Sequence, residues 1–169
     1  MSLIDETYFV FEVDLPASNY SDLSGFIARL EPEVLIKALG YELAKQVIAY
    51  NSQTTTAPIK SLVEGGEFVN SEGNMQKWNG FINTIKKSII AYYVYYYYRR
   101  AKVTYTTRMG EKKGKGENSV DAEIGMKVMR AWNLMLKELE TMDEYIKTIP
   151  ALSDIYKPSR FGTVNAFDL

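Results

Sequence analysis

From Ile89 to Arg100 the chain reads IIAYYVYYYYRR, apolar or aromatic at every position until two arginines close the run. A helix on the surface of a globular protein needs only about three or four apolar residues per two turns. Here there is no polar face. Trp78, Phe81, Ile82, Ile85, Ile89, Tyr92, Tyr93 and Tyr96 fall on one broad helical face, and Ile90, Val94, Tyr97 and Tyr98 populate the others. The spacing predicts a central helix from about Asn74 to about Tyr105, ~30 residues or ~45 Å long at 1.5 Å per residue.

The flanking patterns predict further elements. Ser21 or Asp22 caps a short helix carrying Leu23, Phe26, Ile27 and Leu30. EPEVLIKALGYELAKQVIAYN reads as a helix with Pro32 in its first turn, Leu35, Leu39, Leu43 and Val47 recurring every four residues, and Asn51 at its end. NSQTTTAP is a polar loop. EFVNSEGNMQKW places turn residues Ser71 to Asn74 between two β-capable runs, predicting a short hairpin. Gly110, Gly114 and Gly116 among lysines predict a mobile basic loop over 106–118. Asn118 or Ser119 then caps a last helix, apolar at helical spacing from Ile124 to Ile146 and closed by Pro150. YFVFEV (Tyr8 to Val13) reads as a strand or extended arm, and residues from Ala151 onward show no helical period. The expected fold is mainly α: a small helical bundle around a long aromatic central helix, with a short β-hairpin and extended termini. Its parts are an N-terminal arm and short helix (1–30), a helical domain (31–149) and an extended tail (150–169).

Composition narrows the chemistry. The 169 residues suit one domain. Apolar residues make up 46 %, charged residues 24 %, and the net charge is −1, so any charge signal is local. Cysteine and histidine are both absent. That excludes disulfides, thiolate or imidazole zinc sites, and Cys–His or Ser–His–Asp nucleophiles. The N-terminal stretch carries Asp5, Glu6 and Glu12 and does not read as a secretory signal. The NYS sequon at Asn19 is then read as chance. Lys86, Lys87, Arg99 and Arg100 bracket the tyrosine run well short of the ~20 residues that span a bilayer, so no membrane role is expected.

Few motifs invite catalysis. Tyr41 and Lys45 have the spacing of a Tyr-x-x-x-Lys proton-transfer pair, but no glycine-rich strand-to-helix turn precedes them. GEKKGKGENS lacks phosphate-loop spacing. The carboxylates Asp5, Glu6, Glu12 and Asp14, and Glu138, Glu140, Asp143 and Glu144, show no metal-ligand pattern and read as solvated faces. No catalytic, cofactor or metal residue is assigned, although magnesium needs only carboxylates and water. One charge signal stands out. Arg99, Arg100, Lys102, Arg108, Lys112, Lys113 and Lys115 face a single acid, Glu111, within seventeen positions. That segment suits a phosphate backbone, an acidic neighbouring subunit, or simple solvation.

The tyrosines suggest self-association. A buried phenol needs a partner for its hydroxyl, and aromatic residues that are apolar along the ring and wet at the tip favour interfaces. With two other substantial helices, one chain has too little of itself to cover the run. Tyr92, Tyr93, Tyr95, Tyr97, Tyr98, Tyr156, Phe161 and Phe167 are therefore the candidate oligomer interface, with a core closed within one chain as the competing reading.

LEPEVLIKALGYELAK (Leu30 to Lys45), KWNGF (Lys77 to Phe81), KKSIIAYYVYYYYRR (Lys86 to Arg100), the basic glycine loop and ENSVDAEIGMKVMRAWNLM (Glu117 to Met135) together resemble a tailed-phage head–tail connector, or adaptor, as found in prophages of gut bacteria. The likeness covers most of residues 30 to 146 and rests on helix order and an aromatic central helix. It implies a structural, non-enzymatic subunit that forms a ring between portal and tail with DNA in the lumen, in the virion or the bacterial host cytoplasm, and single until docked. The acidic N-terminal segment departs from that pattern. Two other readings stand beside it: a nucleic-acid-binding accessory protein using the 99–115 segment with tyrosines as stacking surfaces, and a carboxylate-based or metal-dependent enzyme.

Overall fold

Helix α1 (Leu23–Leu39) buries Leu23, Ile27, Leu30, Val34, Leu35 and Leu39, a stripe at steps of three and four. It runs straight through Pro32, so the two helices expected before and after Glu31 are one. The break comes instead at Gly40, whose φ of 81° and ψ of 160° suit only glycine. Helix α2 (Tyr41–Ile48) follows at once. The last carbonyls of α1 find no helical partner of their own. The C-terminal strap satisfies two: Lys157 N–H donates to Leu39 O (3.2 Å) and Ser159 N–H to Lys37 O (2.8 Å). A Cβ on Gly40 would sit 2.6 Å from Lys157 O.

The computed structural model of the chain describes residues 2–15, 22–107, 110–113 and 118–162, and of residues 103–124 the backbone alone. It is mainly helical, as the periodicity predicts. Helix α3 (Ile59–Glu64) leads into an antiparallel hairpin, β1 (Gly66–Val69) with β2 (Met75–Trp78), in the register Gly66↔Trp78 to Val69↔Met75. This is the hairpin read from its turn residues.

The central helix is half the expected length. Helix α4 spans Ile89–Val103, 15 residues. Trp78 belongs to β2, where its indole N–H donates to Leu62 O at 2.7 Å. Residues 79–88 form a loop held by Asn83, whose side chain donates to Gly80 O and Lys87 O and accepts from Lys87 N–H. Gly80, at φ 82°, passes so close to the end of α3 that a Cβ would lie 2.5 Å from Val63 O.

Past α4 the backbone forms a second hairpin, β3 (Thr104–Thr107) with β4 (Gly110–Lys113), where a loop was expected. Helix α5 (Asn118–Lys147) then runs 30 residues, starting and ending as its cap residues predict. Helix α4 lies between α1 and α5. Tyr95 lies by Lys127 and Tyr92 by Glu138, so α4 and α5 are antiparallel. The tail is not wholly extended: Pro150 opens a single turn, α6 (Pro150–Ser153), that buries Leu152.

The N-terminal segment is neither strand nor free arm. It makes two 3₁₀ turns, Glu6–Tyr8 and Phe11–Val13, and its Ile4, Tyr8, Phe9, Val13 and Leu15 join the same core as the helices. Three anchors hold it. The buried Glu31 carboxylate accepts from Leu3 N–H (3.0 Å) and Ile4 N–H (3.4 Å). Tyr8 OH accepts from Asn83 N–H at 2.9 Å. The Lys86 ammonium lies 4.3 Å from the Tyr8 ring centre.

Candidate functional site

The tyrosine run is core. Tyr92, Tyr93, Tyr95, Tyr96 and Tyr98 are each no more than 4 % exposed, and Tyr97 is half-buried against the rings of Tyr93 and Tyr96. These rings are therefore not the oligomer interface expected of Tyr92, Tyr93, Tyr95 and Tyr98. The two termini supply cover that the helices alone lack. Helix α1 covers one flank, with Phe26 edge-on to Tyr98 at 5.0 Å. Helix α5 covers another, with Trp132 4.5 Å from Tyr96. The 3₁₀ turn at Phe11–Val13 packs on both α4 and α5. Phe161 of the tail closes over Tyr93 and Trp132, each at 6.3 Å, and Trp132 donates its indole N–H to Gly162 O.

The phenol tips of Tyr93, Tyr96 and Tyr98 reach polar partners. Tyr93 OH donates to Glu33 Oε1 (2.7 Å) and accepts from Lys37 Nζ (2.9 Å), while Lys37 also pairs with Glu33. Tyr98 OH donates to Asp22 Oδ1, whose other oxygen takes the Lys102 ammonium. Burial pushes Tyr93 far up and brings Tyr92 and Tyr98 up to about 12, with Asp22 adding to the effect at Tyr98. The Lys102 and Lys37 hydrogen bonds hold Asp22 and Glu33 below the usual carboxylate range. Raised phenols favour the neutral form, and with Tyr93 and Tyr98 bonded to the Glu33 and Asp22 carboxylates the arrangement supports packing.

The remaining interface candidates differ. Tyr156 and Phe161 are half-buried and line an open groove with Leu136 and Leu139. Burial, with Asp143 beside it, raises the Tyr156 phenol. Phe167 lies outside the described residues. Of the basic segment, Arg99 is half-buried, Arg100 donates to Tyr96 OH and stands 5.3 Å from its ring centre, and Lys102 is spent on Asp22. Arg108 and Lys115 lie outside the described residues, as do the side chains of Lys112 and Lys113, whose backbone is in β4. Tyr41 and Lys45 both face solvent on α2. Among the described residues no group of three or more acidic side chains is placed to hold a metal, and no helix is long and apolar enough to cross a membrane.

Sequence reading missed a second stripe on α5. Val128, Ala131, Trp132, Met135, Met142 and Tyr145 face the core. Met126, Met129, Arg130, Asn133, Leu134 and Lys137, at steps of three and four, line an open groove of ≈ 430 Å³ on the outer side. Met126 is 65 % exposed. An adjoining groove shares Arg130 and adds Phe11, Glu12, Asp14, Tyr95 and Lys127. Phe11 is 74 % exposed and sits at φ 57°, a conformation in which a bulky residue is rare. The available signal was Met126, apolar one turn outside the core stripe.

No family model, curated protein or solved structure matches the chain.

Proposed function

We propose that the chain is a structural subunit of a phage or prophage particle, a ring-forming head–tail connector that joins portal and tail. The observation that carries this reading is where apolar surface remains in solvent. A chain that folds five tyrosines of one helix into its own core still leaves Phe11, Tyr41, Val69, Met75 and Met126 more than half exposed. Apart from Tyr41 on α2, they fall into two groups. Val69 and Met75 face each other across the first hairpin, and Phe11 and Met126 flank the two grooves that share Arg130. Single exposed apolar residues are ordinary, whereas grouped ones beside charge mark protein contacts. The likeness in residues 30 to 146 supports the same reading. Nucleic-acid binding through 99–115 is the competitor, and it is weakened because Lys102 and Arg100 already have partners within the chain.

Negative-stain electron microscopy and light scattering test the proposal, on the protein alone and with a tailed-phage portal ring. Closed rings, or binding to the portal, are the expected result. A chain that stays single, ignores the portal and instead shifts labelled DNA with a strong salt dependence overturns it.

A further inference from the structure

We propose that the outer stripe of α5 is a docking groove for the first hairpin, β1–β2, of a second copy of this chain. The inference rests on the assembly reading above and names the surfaces that would meet. The groove offers Met126, Met129 and Leu134 as an apolar floor. Between Met126 and Lys137 the helix carries Lys127, Arg130 and Lys137 and no acid. Glu12 and Asp14 stand only in the adjoining groove, beside Lys127 and Arg130.

The hairpin has the complementary chemistry. Alternation along its strands buries Phe68 and Trp78 and turns Val69 and Met75 outward, 51 % and 69 % exposed. From Gly66 to Trp78 its charges are Glu67, Glu72 and Lys77, with Glu72 in the turn itself. An apolar pair beside an acidic turn thus matches an apolar floor edged by cations.

Geometry makes the contact intermolecular. The hairpin base is fixed on α5 near Tyr145, whose ring meets Phe68 at 5.5 Å and whose hydroxyl would lie 2.8 Å from a Cβ on Gly66. Met129 is sixteen residues earlier on that helix, about 24 Å away along its axis. Val69 is three residues beyond Gly66, a reach of about 10 Å. In the folded chain Val69, Met75 and Met126 all stay exposed, so the hairpin does not fill the groove of its own chain. Two different patches of one subunit define a head-to-tail contact, which repeats into a closed ring or an open filament.

The absence of cysteine makes the test direct. Single variants Met75→Cys and Met126→Cys, both at exposed positions, are mixed and treated with a short bismaleimide. Met75→Cys mixed with Gln46→Cys, an exposed position on α2, is the control. The expected result is a cross-linked dimer several-fold above control. Arg130→Glu introduced into the Met126→Cys chain should remove the excess, and Glu72→Lys introduced into the Met75→Cys chain should restore it. A yield equal to control, or Met126→Cys linking mainly to itself, overturns the contact. Rings that form without this cross-link sink the contact and leave the connector reading standing. A chain that neither associates nor cross-links above control sinks both.

Discussion

Glu31 shows how much one side chain can decide. It is 5 % exposed on α1, and its carboxylate receives the Leu3 and Ile4 N–H groups, so the N-terminal segment hangs from it. Glu31→Ala leaves those donors unpaired and is expected to cost about 1–3 kcal/mol in urea unfolding. Desolvation raises the Glu31 carboxyl above its ordinary value of 4.5 despite these hydrogen bonds. The folded state therefore holds its proton to higher pH than the unfolded state. Its contribution to stability is greatest below the unfolded value and falls as pH rises through the folded one. Asp5, Asp22 and Glu33 are lowered and slope the other way. The measurement is thus the stability of the wild type minus that of Glu31→Gln, which should shrink as pH rises from the unfolded value. A flat difference would remove the titration argument. In the sequence, Glu31 is only the acid that opens the EPEVLIKALG stretch. Its burial became visible once residues 2–15 were seen to pack on α1.

At the scale of elements, local chemistry was legible wherever it was self-contained. The Ser71–Asn74 turn predicted β1–β2, and the Asn118 cap and Pro150 predicted both ends of α5. The failures share one cause. Helical spacing across Trp78 to Ile85 coincided with a strand and a loop, because Gly80 must pass close to Val63 and Asn83 ties the loop to Lys87. The four-residue stripe of Leu35 to Val47 likewise hid the break at Gly40, which exists so that the strap can reach the end of α1. Gly40→Ala forces a Cβ onto the Lys157 carbonyl in a glycine-only conformation, with an expected cost of about 1–3 kcal/mol. Limited proteolysis should then cut the 154–162 strap faster than in the wild type. Unchanged cleavage would show that the strap is held elsewhere.

For the whole molecule, the decisive fact is that one chain covers its own aromatic helix. Two terminal segments supply the cover that a count of helices omits, and the candidate binding surface moves from α4 to α5 and the first hairpin. The basic segment keeps a separate prediction. Reversing Lys112, Lys113 and Lys115 to Glu should weaken assembly or portal docking, more strongly at low salt, because attraction between charges is screened beyond the Debye length of about 10 Å at 0.1 M salt. Sedimentation and portal binding that match the wild type would assign that segment to solvation alone.

By itself the order of residues determined the mainly helical class, the first hairpin, the long last helix and the absence of cysteine and histidine chemistry. Each follows from the repeat of apolar positions, from turn and cap residues, or from which side chains exist at all. Only the tertiary structure decided which apolar face meets which. Hydrophobic attraction has no direction, so a ring destined for its own core and one destined for a neighbour look alike along the chain. Contacts across 28 positions, Glu31 to Leu3, and across 118, Lys157 to Leu39, told them apart.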